Sequence, residues 1–495
     1  MERSHAQRFS ALLIGLGLTT ATVGFATGRP LSLPATTACL EAATANGRTN
    51  QTLSGMAVAI VLDGHIVYHR GFGTVSPTAT RPVLPSTRFR IGSLTKSLTA
   101  TAVLSLVDDD QLHLHDRVTE VLPGFSLPAT EPQWLHRLTV HRLLSHQGGI
   151  RELDLLDGPR EDGALAAAFY DPGYTSNTPL MVAPGTFYNY SNANFALAGL
   201  VAETAAGRPY REVVRRRVFI PLGMTRAAFL PSVVAADEDV ALGVEGDIVF
   251  APGDYDNAVD RPSGYAWASV DDVAQFMKFL MRGNPAVLSP RLWRAMQTPQ
   301  VNTFEFLDRR AYGYGLGIAD WVVLPDSQNT PRFYDGVKLV WHEGAINGYQ
   351  ALMMTMPRQQ FGYVVLLNGD GHNLQACFRV AAAEAVGKRL PAPSPFPDPE
   401  IQRNRFVDYV GHYIDLTGLD GTASITLTPS GDLSISLPNL DAGAVPYEPI
   451  LRPVSRDNFI LRIQDFDLPV TGFRENGSVV MWLRSRDTVM RRDAP

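Results

Sequence analysis

Arg90-Ile91-Gly92-Ser93-Leu94-Thr95-Lys96-Ser97-Leu98 is the stretch whose reading decides the fold. A Gly-Ser pair opens what reads as a buried helix. Ser93 and Lys96 stand three residues apart and so share one helix face. A hydroxyl and an amine held side by side at a helix N-terminus form a nucleophile-and-base pair, and the helix dipole there favours developing negative charge. The chain has only four lysines, Lys96, Lys278, Lys338 and Lys388, and uses Arg for its other strong cations. Arg stays protonated and cannot serve as a base, which makes a lysine at an apolar helix start notable. None of the other three lysines has Ser three residues before it.

Outward from this stretch, residues 96–107 are apolar at helical spacing through Leu98, Ala102, Val103, Leu106 and Val107. Upstream, 35–45 reads as a first helix, 55–62 as a strand, Asp63-Gly64 as a hairpin turn and 65–68 as the return strand. Downstream, helices are expected at 139–146, 194–206, 210–217, 270–281 and 290–296. The pattern then changes to strands at 314–318, 338–341, 350–356 and 363–367, closed by a helix at 373–387. The fold class is therefore α/β in the α+β sense. One antiparallel central sheet draws strands from both ends of the domain, is flanked by helices and carries an inserted helical lobe. Alternating prolines from Pro391 to Pro399 read as a stiff linker over 391–400. Beyond it, 401–495 alternates at 425–427, 433–437, 459–463 and 479–483, a C-terminal antiparallel β module.

The chain has 495 residues, 45% hydrophobic and 19% charged, with a net charge of −6, which argues against nucleic acid as a partner. No cofactor and no metal are expected; His113-Leu114-His115-Asp116 reads as a polar turn without further ligands. Residues 1–26 read as a cleaved export signal. Arg3 and Arg8 are basic, 9–18 is a short apolar run, and Gly24-Phe25-Ala26 supplies small residues. The expected location is periplasmic or secreted, with no stable membrane span after cleavage. Cys39 and Cys377 are either a disulfide, which export permits, or two small buried residues.

Three short motifs follow one another: Ser93-Leu94-Thr95-Lys96, Tyr190-Ser191-Asn192 and His342-Glu343-Gly344. In these the chain resembles the penicillin-recognising serine hydrolases, in the branch of class C β-lactamases, D-alanyl-D-alanine carboxypeptidases and related esterases. Phe89-Arg90-Ile91-Gly92, Leu143-Leu144-Ser145-His146, Pro184-Gly185-Thr186, Pro221-Leu222-Gly223-Met224 and Asn347-Gly348-Tyr349 add to the likeness. It covers about 50–390, within a catalytic domain over 35–390. The resemblance implies Ser93 as nucleophile, with Lys96 and Tyr190 both open as its base. It implies Asn192, His342 and Gly344 in substrate binding, and the backbone N–H groups of Ser93 and Ala345 as oxyanion hole. It also implies a first and a last helix packed together, which would bring Cys39 and Cys377 into reach of a disulfide. The C-terminal module resembles the lipocalin-like domains of some relatives and leaves room for oligomerisation.

Three departures qualify this. His342 stands where many antibiotic-hydrolysing relatives carry Lys. An imidazole is charged only near or below about pH 6.5, so carboxylate recognition should weaken at neutral pH. Glu343 adds a negative charge, expected on the opposite face of the strand. Gln147-Gly148-Gly149 replaces a common Thr-Ser-Gly with no derivable consequence. The expectation is a serine hydrolase acting through an acyl-enzyme on an ester or amide of a small molecule or peptide. The alternatives are a β-lactamase and, from another class, a non-catalytic penicillin-binding sensor.

Overall fold

The computed structural model describes residues 31–493 except 153–157, 305–308, 372–373, 418–420, 465, 475–478 and 486–487. The expected export signal at 1–26 lies outside the described residues. Two compact units meet in sequence between Phe396 and Pro397.

The larger unit begins with α1 (Pro34–Thr49), β1 (Leu53–Leu62) and β2 (His65–Gly73). A lobe of helices follows, including α2 (Thr95–Asp108), α3 (Asn192–Ala206) and α4 (Val270–Arg282). Strands β3 (Val301–Asn302), β4 (Arg310–Tyr312), β5 (Gly317–Pro325), β6 (Pro331–Ile346), β7 (Tyr349–Met356) and β8 (Phe361–Gly369) then lead to α5 (Leu374–Val386). They form one eight-stranded sheet in the order β2-β1-β8-β7-β6-β5-β4-β3, antiparallel throughout. The first hairpin thus pairs with the last strand, the closure expected of strands drawn from both ends.

β1 and β8 are buried along their whole length. They lie between the α1/α5 layer and α4, and therefore read as apolar runs without alternation. Where α1 and α5 meet, the Glu384 carboxylate accepts from Ala35 N (3.1 Å), Thr36 N (2.9 Å) and Thr36 Oγ1 (2.7 Å), an acid at a helix N-terminus. Cys39 and Cys377 join the same two helices through a disulfide.

Sequence and structure differ at the sheet's far edge. The strand expected at 314–318 runs Gly317–Pro325, and the one expected at 338–341 extends over Pro331–Ile346. The register of β6 shifts between Asp335 and Leu339, and its polar flank lacks an apolar alternation; β5 sustains the first part of the strand and β7 the part from Val340 to Ile346. β3 and β4 were not expected. The helix expected at 210–217 passes at Arg215–Phe219 into a π-helical turn.

The smaller unit holds β9 (Gly411–Asp415), β10 (Thr422–Leu427), β11 (Leu433–Ser436), β12 (Arg452–Ser455), β13 (Asn458–Ile463), β14 (Phe466–Arg474), β15 (Val480–Arg484) and β16 (Val489–Arg492). Their order is β11-β10-β9-β16-β15-β14-β13-β12. The ends meet: Ile435 N donates to Pro449 O (2.7 Å) and Leu451 N to Leu433 O (3.0 Å), just before β12 begins. The sheet is thus a closed barrel without a free edge. Phe406, Tyr409, Tyr413, Phe459, Leu461 and Leu483 are among the side chains that fill its core. Among the described residues no helix is long and apolar enough to cross a membrane.

Candidate active site

Ser93 sits in a single helical turn, Gly92–Leu94, that runs straight into α2. Two glycines let β6 approach this turn. Gly92 has φ +52°, and a methyl on it would lie 2.6 Å from Ala345 N. A methyl on Gly344 would lie 2.1 Å from Ile91 O and 3.1 Å from Ser93 N. β6 thus runs close against the Ser93 turn at Gly344 and Ala345, where the family resemblance implies two oxyanion donors.

Helix α2 is buried on all sides despite its polar content, because those side chains have partners. Thr95 Oγ1 donates to Gly92 O (2.7 Å) and accepts from Ala266 N (3.1 Å). Ser97 Oγ donates to Gly315 O (2.8 Å), and Thr99 Oγ1 to Pro262 O (2.6 Å). The bonds to Pro262 and Ala266 pin the helix to the segment around the short helix Arg261–Gly264.

That segment supplies a group with no signature in the sequence. Lys96, fully buried, donates from Nζ to Ser93 Oγ (2.9 Å), Asn192 Oδ1 (2.5 Å) and the backbone carbonyl of Ser263 (2.8 Å). Two of these acceptors hold N–H groups in either protonation state of the amine. The third partner is the Ser93 hydroxyl, toward which a neutral amine turns its lone pair. The arrangement can therefore move a proton between Ser93 and Lys96. Asn192 opens α3, where its backbone N–H donates to Glu152 Oε2 (2.8 Å).

Tyr190, half-buried, presents its ring to Lys96 Nζ at 4.8 Å from the centroid. It packs at 4.2 Å between centroids against His146. His146 in turn touches Tyr188 (5.8 Å) and Tyr312 (4.9 Å). Ser93, Lys96, Tyr190, Asn192, His342, Gly344 and Ala345 thus converge from the turn at the start of α2, α2 itself, the loop before α3, the first residue of α3 and β6. Glu343 points away as expected, accepting from Gln375 Nε2 on α5 (2.8 Å).

His342 departs from expectation. Its side chain is buried, with Nδ1 2.6 Å from Glu343 O and Nε2 3.0 Å from the Tyr312 hydroxyl. Burial, with the Lys96 charge adding to it, lowers its pKa from the ordinary imidazole value to about 3. The ring is neutral across the physiological range and is no cation switched near pH 6.5. Tyr312, from the unexpected strand β4, is buried too, and burial holds its phenol well above the usual tyrosine range. At the other candidate cluster, His113 N donates to Asp116 Oδ2 (2.7 Å), closing the polar turn. Among the described residues no three His, Cys, Asp or Glu are grouped to hold a metal ion.

A profile of the family described as Beta-lactamase matches residues 40–387. Over 365 residues, 70% of this chain, there is 28% identity to penicillin-binding protein 4 of Amycolatopsis lactamdurans, covering 89% of that protein. Over 383 residues, 76% of this chain, there is 28% identity to a D-aminopeptidase of Gluconobacter oxydans. The match spans 66% of that aminopeptidase, so part of it has no counterpart here. Among solved structures, the octameric penicillin-binding protein homologue from Pyrococcus abyssi superimposes with a TM-score of 0.61 at 23% identity. That match covers 92% of this chain and 100% of the other, a likeness of fold.

Proposed function

The chain belongs to the beta-lactamase family of serine hydrolases, and from that membership we propose that it hydrolyses an ester or amide bond through an acyl-enzyme on Ser93. The observation that carries the reading is the buried Lys96 amine, held by Asn192 and Ser263 and aimed at the Ser93 hydroxyl. Lys96 or Tyr190 takes the Ser93 proton as Oγ attacks the carbonyl carbon. The N–H groups of Ser93 and Ala345 receive the oxyanion. Collapse breaks the ester or amide bond, and the leaving alcohol or amine departs with the proton that Lys96 or Tyr190 held. Water, giving its proton to the same groups, then attacks the acyl carbon; the acyl–Oγ bond breaks, the acid leaves, and that proton returns to Ser93 Oγ. Relatives named D-aminopeptidase support an amide as the scissile bond.

Export by way of 1–26 and association through the C-terminal barrel belong to the same proposal. N-terminal sequencing of secreted protein and light scattering of the full chain against one cut at Phe396 test them.

The activity is tested with a fluorophosphonate probe, p-nitrophenyl esters, D-amino-acid amides, a fluorescent penicillin and a chromogenic cephalosporin, each alongside Ser93→Ala. Ser93-dependent labelling and turnover of esters or amides is expected. Labelling by penicillin without turnover of anything would favour a sensor, and rapid cephalosporin turnover a β-lactamase. No labelling at all would overturn the enzyme reading.

A further inference from the structure

The most informative polar pair that the proton transfer does not use is Tyr312–His342. The Glu343 carbonyl can only accept, so His342 carries its proton on Nδ1 and donates it there at 2.6 Å. The Tyr312 hydroxyl, 3.0 Å from Nε2, could donate to a neutral ring or accept from a doubly protonated one; burial and the neighbouring Lys96 disfavour the second proton, so the hydroxyl donates and Nε2 accepts. Both ring nitrogens are engaged inside the fold. We propose that Tyr312 locks His342 as a neutral Nδ1–H imidazole, and that the site therefore takes acyl donors with no carboxylate where the substrate faces His342. This rests on the ester-or-amide hydrolase reading of the same site.

The groups packed around the ring agree. Lys96 adds a positive charge on one side, and the Tyr190 ring lies 6.5 Å from the imidazole between centroids. Tyr312 closes the other side, its ring packed at a tilt against His146 and Tyr188. The Glu343 carbonyl on Nδ1 favours the charged ring, but burial and Lys96 outweigh it, and the Glu343 carboxylate faces α5 and Gln375 instead. A second proton on His342 would put a charge beside Lys96 in a position only 6% exposed. Burial and Lys96 both lower its pKa, in keeping with the geometry. A substrate carboxylate at His342 would meet a ring with no N–H to offer and would give up its water for nothing. Discrimination of this kind works by exclusion. Tyr312 acts as a positioning residue, since it reaches the substrate only through His342.

The test pairs an uncharged p-nitrophenyl ester with the same ester bearing a terminal carboxylate. Selectivity is read as a ratio within each variant, so that a general loss of rate cancels. Wild-type protein should prefer the uncharged ester by about tenfold or more in kcat/KM, the value of one hydrogen bond to a charge. That ratio should stay flat from about pH 5.5 to 8. His342→Lys should shrink it through KM. Tyr312→Phe should leave a ratio that falls as the pH is lowered, because Nε2 has lost its donor. Independently of turnover, nitrogen NMR of the full-length Ser93→Ala protein should show the His342 ring as the neutral Nδ1–H form over the same range. A ring that titrates near pH 6.5, or wild-type preference for the carboxylate ester, would overturn the lock while Ser93 labelling upheld the hydrolase reading. Absence of labelling would overturn that reading and this substrate assignment with it.

Discussion

The neutral state of His342 makes stability depend on pH in a way that can be worked out beforehand. In the unfolded chain an imidazole titrates at about 6.5; in the folded protein burial and Lys96 put His342 at about 3. Between these values the unfolded chain binds a proton that the folded chain refuses. Stability from this group is therefore intact above about pH 6.5 and is lost progressively as the pH falls toward about 3. Moving from about pH 7.5 to pH 5 should cost about 2 kcal/mol from His342 alone. The folded value lies well below the assay pH and barely enters this figure. Other groups titrate in the same window, so the measurement is a difference of differences: urea unfolding of wild type and His342→Gln at both pH values, followed by tryptophan fluorescence. Gln has no proton to gain. The variant should lose about 2 kcal/mol less than wild type on acidification, whatever its stability at the higher pH. Equal losses would refute the claim that His342 is held neutral.

Gly344→Ala should abolish most Ser93 labelling, because its methyl would strike Ile91 O at 2.1 Å and push β6 away from Ser93; unchanged labelling kinetics would contradict the oxyanion arrangement. Asp256 and Arg261 form a buried pair at 2.8 Å at the start of the helix that carries Ser263. Removing one partner, as in Asp256→Ala, should destabilise by about 3–5 kcal/mol in chemical unfolding. Reducing Cys39–Cys377, which closes a loop with a sequence separation of 338, should cost up to about 5 kcal/mol in the same assay. Reduction without effect would mean that the α1–α5 contact holds unaided.

Much of this protein is written in local sequence. Apolar periodicity marks α2, α3 and α4. A Ser–Lys spacing, Tyr190 with Asn192, and His342 with Gly344 point to one chemistry, because each needs particular side chains at particular intervals. The central strands are legible for the same reason: fully buried, β1 and β8 are nearly uninterrupted apolar runs. The small edge strands β3 and β4 are not, since two or three residues carry no period; β4 takes its conformation from β5 beside it, and β3 from β4.

What escaped the sequence depends on contacts between distant segments. Ser263 serves Lys96 with a backbone carbonyl, which every residue has. Tyr312 is one of 16 tyrosines and gains its part only when β4 brings it against His342. The residue types in the Ser93–Leu94–Thr95–Lys96 turn determine that a hydroxyl and an amine will meet. Whether an imidazole beside them is charged is decided by desolvation, a property of the packed surroundings that no local stretch of chain contains.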